Sequence, residues 1–117
     1  MAGTTQEVLQ HHLDCFGKGD PDGVMADYSA ASKLFTPTGV LKGLDPIRQL
    51  FATLFKEFAK PGMSFEMTRQ DVEGDTAYIV WKGETADNRY ELGTDTFVIK
   101  DGKIVTQTFA GKITPKR

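Results

Sequence analysis

Between Gly62 and Ser64 the spacing of the apolar residues changes period, and this switch restricts the fold more than any other feature of the chain. Before it, Ile47, Leu50, Phe51, Leu54, Phe55 and Phe58 recur at offsets 0, 3, 4, 7, 8 and 11, which is one face of an α-helix. After it, side chains alternate with period two. Ala77, Ile79 and Trp81 share one face of a strand, while Tyr78 and Val80 share the other. Four long strands are predicted, over about 64–73, 76–86, 89–100 and 103–113. They are joined at Gly74-Asp75, Asp87-Asn88 and Asp101-Gly102. The last of these is the strongest hairpin signal, because a type I′ turn needs positive φ at both central residues.

The first half reads as helices around a short hairpin. Thr4 and Glu7 form a capping box ahead of a helix to residue 18, with Val8, Leu9, His12, Leu13 and Phe16 in one arc. Asp20-Pro21 opens a second helix that runs to about Ala30. Lys33–Thr36 and Val40–Lys42 pair across Pro37-Thr38-Gly39. Asp45 is expected to cap the third helix, with Pro46 in its first turn and Pro61-Gly62 at its end. The expected class is α+β: an antiparallel sheet with the three N-terminal helices on one face. The strands carry apolar residues on both faces, so a second body is expected on the far side. A homodimer through the sheet is its simplest source.

A chain of 117 residues is expected to form one domain, residues 1–117. With 14 basic and 16 acidic side chains the net charge is −2, which argues against nucleic acid as the main partner. The one basic cluster, Lys116-Arg117, reads as a solvated tail. No apolar run approaches the ~18 residues of a membrane span, and Met1–Gln6 lack the charged and apolar regions of a signal peptide. One cysteine, Cys15, makes no internal disulfide, which suits a reducing compartment. The cytoplasm is the expected location. No glycine-rich phosphate loop follows a strand and no Cys/His spacing suits a metal, so neither a cofactor nor a metal is expected. His11 and His12 diverge by about 100° on a helix and form no metal pair.

Three local patterns appear in a fixed order. Gly19-Asp20-Pro21-Asp22 follows the first helix, with Tyr28 six residues beyond Asp22. Gly39-x-x-x-Gly43 leads into Asp45-Pro46-Ile47, and Phe97 precedes Asp101-Gly102-Lys103-Ile104-Val105. With the order of elements, these patterns make residues 4–113 resemble the nuclear transport factor 2-like superfamily. The branch the chain is most similar to is the SnoaL-like and ketosteroid-isomerase-like one. The resemblance implies a cone: a strongly curved sheet with the helices on its concave face and an apolar pocket at the mouth. Its members include isomerases, cyclases, dehydratases and epoxide hydrolases, and also modules that only bind ligands or partners, so fold alone does not name the chemistry.

Asp95 is the sharpest catalytic candidate. Strand alternation places it with Phe97 and Ile99, and a carboxyl on an apolar face has its pKa raised by desolvation. The resemblance implies that a neutral Asp95 donates a hydrogen bond to a developing enolate oxygen. The competing reading is an aspartate satisfied by Thr94, Thr96 or Thr108. His12, inside the apolar arc, matches the place of the isomerases' tyrosine donor. It is either the second catalytic group or a core-edge histidine bonded to a carbonyl. His11 is expected on the surface. Thr36 is the departure: the resemblance implies a general-base aspartate there, and a threonine is no base at neutral pH. Its hydroxyl either orients a ligand or starts the turn. Phe16, Tyr28, Phe55, Trp81 and Phe97 bracket His12 and Asp95 and are expected to bind the ligand. Arg69 and Asp71 read as solvated hairpin charges, and Cys15 as an inert filler. The expected function is cofactor-independent binding of a compact apolar carbonyl or ring compound, with enolisation, cyclisation or dehydration as the reaction class. The rival is a non-catalytic ligand-binding or protein-interaction module of the same fold.

Overall fold

The computed structural model describes residues 3–116. Arg117 of the basic tail and the first residues of the leader region, Met1 and Ala2, lie outside them. Helix α1 spans Thr5–Lys18, α2 Pro21–Met25, β1 Lys33–Thr36, β2 Gly39–Lys42 and α3 Leu44–Phe58. The long strands follow as β3 Ser64–Glu73, β4 Thr76–Glu84, β5 Asn88–Lys100 and β6 Lys103–Pro115.

Local chemistry explains most of these boundaries. The Thr4 hydroxyl accepts from the Glu7 amide while the Glu7 carboxylate accepts from the Thr4 amide, closing the expected capping box. Gly19 ends α1 in the left-handed region at φ 67°, where glycine carries no steric penalty. Asp20 caps α2 through the Gly23 amide. Two expectations are corrected. Helix α2 stops at Met25 rather than near Ala30, and its successors hold the chain with local bonds such as that from the Ser29 amide to the Ser32 hydroxyl. Helix α3 is entered through Gly43, with no side-chain cap; Asp45 lies one residue inside, where its charge still faces the helix's positive end.

The six strands form one sheet in the order β2-β1-β6-β5-β4-β3. The four long strands are the expected antiparallel meander, and Asp101 and Gly102 both take positive φ (52° and 77°) at the last hairpin. The short hairpin joins through a parallel pairing of β1 with β6, which makes the sheet mixed. Register shifts interrupt β3–β4 after Met67, β4–β5 after Trp81, and β5–β6 after Tyr90 and Val98. Each extra residue bends its strand and adds twist, so the sheet curves. This is the α+β cone expected of the superfamily.

Helix α1 lies against β4 and β5, where Leu9 is fully buried against the sheet's Ala77, Phe97 and Ile99 side. Among the described residues no helix is long and apolar enough to cross a membrane. Lys116 is not a free tail: its amine donates to the Thr85 carbonyl (2.9 Å) and pairs with Glu84 (3.3 Å).

Candidate functional site

Between α3, α1 and the concave sheet lies a cavity of about 760 Å³, within the range of small-molecule sites. Its walls are mainly Leu, Ile and Phe side chains, contributed by the helical stripe of α3 and the inward face of the strands. His12, Phe16, Thr36, Trp81, Asp95 and Phe97 all line it. The other two expected ligand residues stand behind the wall. Phe55 packs on Phe16 at 5.2 Å between ring centres, and Tyr28 is buried with its hydroxyl turned to Gln107.

Asp95 is 8% exposed and accepts two hydrogen bonds, from Trp81 Nε1 (2.9 Å) and Gln107 Nε2 (3.0 Å). None comes from the neighbouring threonines. Burial pushes its carboxyl up to about 6, and the two N–H donors hold it from going higher. At pH 7 the charged form therefore exceeds the neutral one by roughly tenfold. Burial thus raises the Asp95 carboxyl in the expected direction, while the two donors around it favour its charged, accepting form. Each carboxylate oxygen has one further lone pair free for a ligand.

Gln107 was not singled out from sequence, yet it organises this end of the cavity. The Tyr28 hydroxyl donates to its amide oxygen, which turns its NH2 toward Asp95. Burial raises the Tyr28 phenol well above its ordinary range, with Asp95 and Asp27 adding to the rise, so Tyr28 stays a donor. The available signal was cross-strand: Gln107 pairs with Phe97, whose face Asp95 shares. The Trp81 ring lies flat over Gly93, where an added Cβ would come within 2.4 Å of a ring carbon. Glycine there is what lets the indole reach Asp95.

His12 is 4% exposed, and burial, with His11 adding to it, lowers its pKa to about 4. It is neutral at pH 7. Its ring is held edgewise by Phe97, Phe51 and Tyr28, with ring centres 5.3, 5.7 and 5.9 Å away. Nδ1 is sealed without a partner, and the closest carboxylate oxygen, on Asp27, is 3.9 Å away. The expected bond to a backbone carbonyl is absent among the described residues. Asp27 is instead taken by His11, whose Nδ1 lies 2.8 Å from it. His11 is half exposed but tethered, and its Nε2 lies 3.4 Å from Cys15 Sγ. Burial raises the Cys15 thiol, and Asp20 and Asp27 raise it further, which keeps it protonated and unreactive.

The Thr36 hydroxyl donates to the Gly39 carbonyl (2.9 Å) and accepts from the Thr38 amide (3.3 Å), so it fastens the hairpin at the rim. Arg69 and Asp71 form an exposed ion pair outside the cavity. No group of three His, Cys, Asp or Glu side chains among the described residues is placed to hold a metal ion.

The chain superposes on the epoxide hydrolase/cyclase-like enzyme SalBIII of pyran ring formation in the polyether salinomycin. The TM-score is 0.80 at 13% identity, covering 96% of this chain and 95% of that one. A candidate polyketide cyclase from Sinorhizobium meliloti gives 0.74 at 18% identity over 89% and 94%. A candidate ketosteroid isomerase from Kribbella flavida gives 0.75 at 15% identity over 92% and 77%. These likenesses establish the nuclear transport factor 2-like fold. No curated protein matches the chain by sequence. The family model of the SnoaL-like domain matches residues 9–107, and the chain belongs to that family.

Proposed function

We propose that the cavity binds an apolar carbonyl or ring compound and that the protein, without a cofactor, moves a proton on it. The observation that carries this reading is a carboxylate, held by two N–H donors, set in an apolar wall that also presents an imidazole. Asp95 takes a proton from the carbon beside the carbonyl. The C–H electron pair forms the enolate double bond, and the oxygen that gains charge is met by the N–H of His12. Return of the proton at another carbon completes an isomerisation. Attack of the enolate carbon on a second carbonyl of the same molecule breaks that C=O π bond and closes a ring, and the alkoxide formed takes back the proton held by Asp95. Asp95 thus supplies, from β5, the base that the resemblance implied at Thr36. The cyclase and isomerase relatives support this class of reaction.

The test is exchange of the α-protons of 2-tetralone in D2O, followed by NMR. Catalysed exchange is expected, and a rate no faster than buffer and an unrelated protein sinks the proposal. A second reading, ligand binding without turnover, is favoured by the engagement of Thr36 in its own hairpin. It predicts that mass spectrometry of the purified protein finds a bound metabolite that stays chemically intact on incubation.

We further propose a second copy of the chain on the outer face of the sheet, where Tyr78 is 38% exposed beside half-buried Val80. Light scattering is expected to give the dimer mass, and a monomer at micromolar concentration removes this part.

A further inference from the structure

We propose that the cavity also takes organic cations, ammonium ions with apolar substituents, which seat on the aromatic faces around Trp81 and pair with Asp95. This goes beyond the proton-transfer reading and shares with it only the premise that small organic molecules enter the cavity.

The argument begins with charge. Both hydrogen-bond partners of Asp95, Trp81 and Gln107, are neutral. Among the described residues no lysine or arginine lines the cavity. The other titratable side chains that line the cavity, His12 and Tyr90, are uncharged at neutral pH, and so is Tyr28 behind the wall. The carboxylate is thus a buried charge without a counter-ion, and such a charge gains most from a cation that arrives already poorly hydrated. An ammonium with apolar substituents is such a cation. A ligand bearing a carboxylate or phosphate meets the opposite: repulsion with no compensating basic group.

The second part is the wall. The Trp81 ring is near-parallel to two others, Phe65 at 5.3 Å and 27° and Phe109 at 6.3 Å and 25°. Tyr90 stands 5.4 Å away on the same ring. Phe65, Trp81, Tyr90 and Phe109 all line the cavity, and Phe65 is 44% exposed. Aromatic faces carry the negative part of the ring quadrupole and attract desolvated cations within about 6 Å. A carboxylate bonded to the edge of one of these rings adds full charge to the same place. Apolar substituents find the Leu and Phe walls, and the charged centre finds the one end of the cavity that can balance it.

Trp81 is the only tryptophan in the chain, so its fluorescence reads this site directly. The experiment titrates the full chain with benzyltrimethylammonium and with its uncharged carbon isostere, neopentylbenzene. The cation is expected to bind at least about tenfold more tightly. In Asp95→Asn, with its fold confirmed by circular dichroism, the two affinities are expected to converge to within about threefold. Phe65→Leu, at a half-exposed site that needs no repacking, lowers the cation's affinity by about threefold and leaves the isostere's unchanged. An isostere that binds wild type as tightly as the cation overturns the proposal, as does a preference for the cation that survives in both variants. The ketone exchange assay separates the two readings. Exchange without cation preference removes this inference alone, and cation preference without exchange removes the catalytic reading alone.

Discussion

Two carboxylates near the cavity have opposite surroundings. Glu57, near the end of α3, accepts from the Thr85 hydroxyl (2.6 Å), the Asn88 amide (2.8 Å) and the Tyr90 hydroxyl, which reaches both of its oxygens (3.0 and 2.9 Å). Among the described residues Asp95 accepts only from Trp81 and Gln107. Three donors crowd Glu57 Oε2, and Oε1 shares the Tyr90 hydroxyl, so Glu57 fastens α3 to the β4–β5 turn. Asp95 is more deeply buried yet keeps capacity in hand, on the side where a ligand can enter. In this molecule the deeper carboxylate is the one with fewer donors, so burial and unfilled acceptor capacity coincide at Asp95.

The most severe way to break this comparison is to remove the charge at Asp95. Asp95→Asn is expected to lower ketone exchange by about 100-fold or more, measured by NMR on folded protein. A smaller effect places the base elsewhere.

Burial makes the same residue costly. Its carboxyl stands near 6 instead of 3.8, so it contributes stability that is complete below pH 3.8 and is lost as the pH rises through 6. His12 runs the other way: with its pKa lowered to about 4 it favours the fold above 6.5 and opposes it as the pH falls toward 4. The two slopes offset each other in wild type. Asp95→Asn removes the aspartate slope and leaves that of the histidine. From pH 6.5 to 4 its unfolding free energy is expected to fall by about 2 kcal/mol more than that of wild type, read by urea denaturation. Parallel pH profiles would show that Asp95 is solvated.

Glu57→Gln tests the fastening side. Its amide turns a donor toward the Thr85, Asn88 and Tyr90 donors, and a loss of about 2 kcal/mol in thermal unfolding is expected. The exchange rate per folded molecule should stay within about twofold of wild type. A large loss of exchange would give Glu57 a part in the chemistry. The smallest effect belongs to Arg69→Ala: its ion pair with Asp71 is solvent-exposed, and both unfolding and exchange are expected at wild-type levels.

The fold was largely legible because period, caps and turns are local signals. Thr4-Glu7, Asp20-Pro21 and Asp101-Gly102 each dictate their geometry within a few residues. The parallel seating of β1 on β6 was not readable, since a four-residue strand carries no record of its distant partner. For the site, alternation was enough to put Asp95 on the inner face, and the helical arc to put His12 on the cavity wall. Their ionisation was not readable, because it depends on who donates. Trp81 reaches Asp95 across a neighbouring strand and Gln107 across another. Tyr28 lies beyond the end of α2, and its role depends on a hydroxyl contact with β6. His11 reads as solvent-facing from its own helix, and only the return of the chain to Asp27 ties it down.

The parallel ladder from Lys33↔Thr106 to Phe35↔Thr108 joins segments about 70 residues apart. The long strands can zip from turn to turn, whereas β1 has no seat until the last strand is in place. Thr36, Pro37 and Thr38, which form part of the cavity's rim, hang from that seat. The lip of the hollow is thus held by a pairing that no tight turn makes, and a ligand that steadies the lip supports that long-range join.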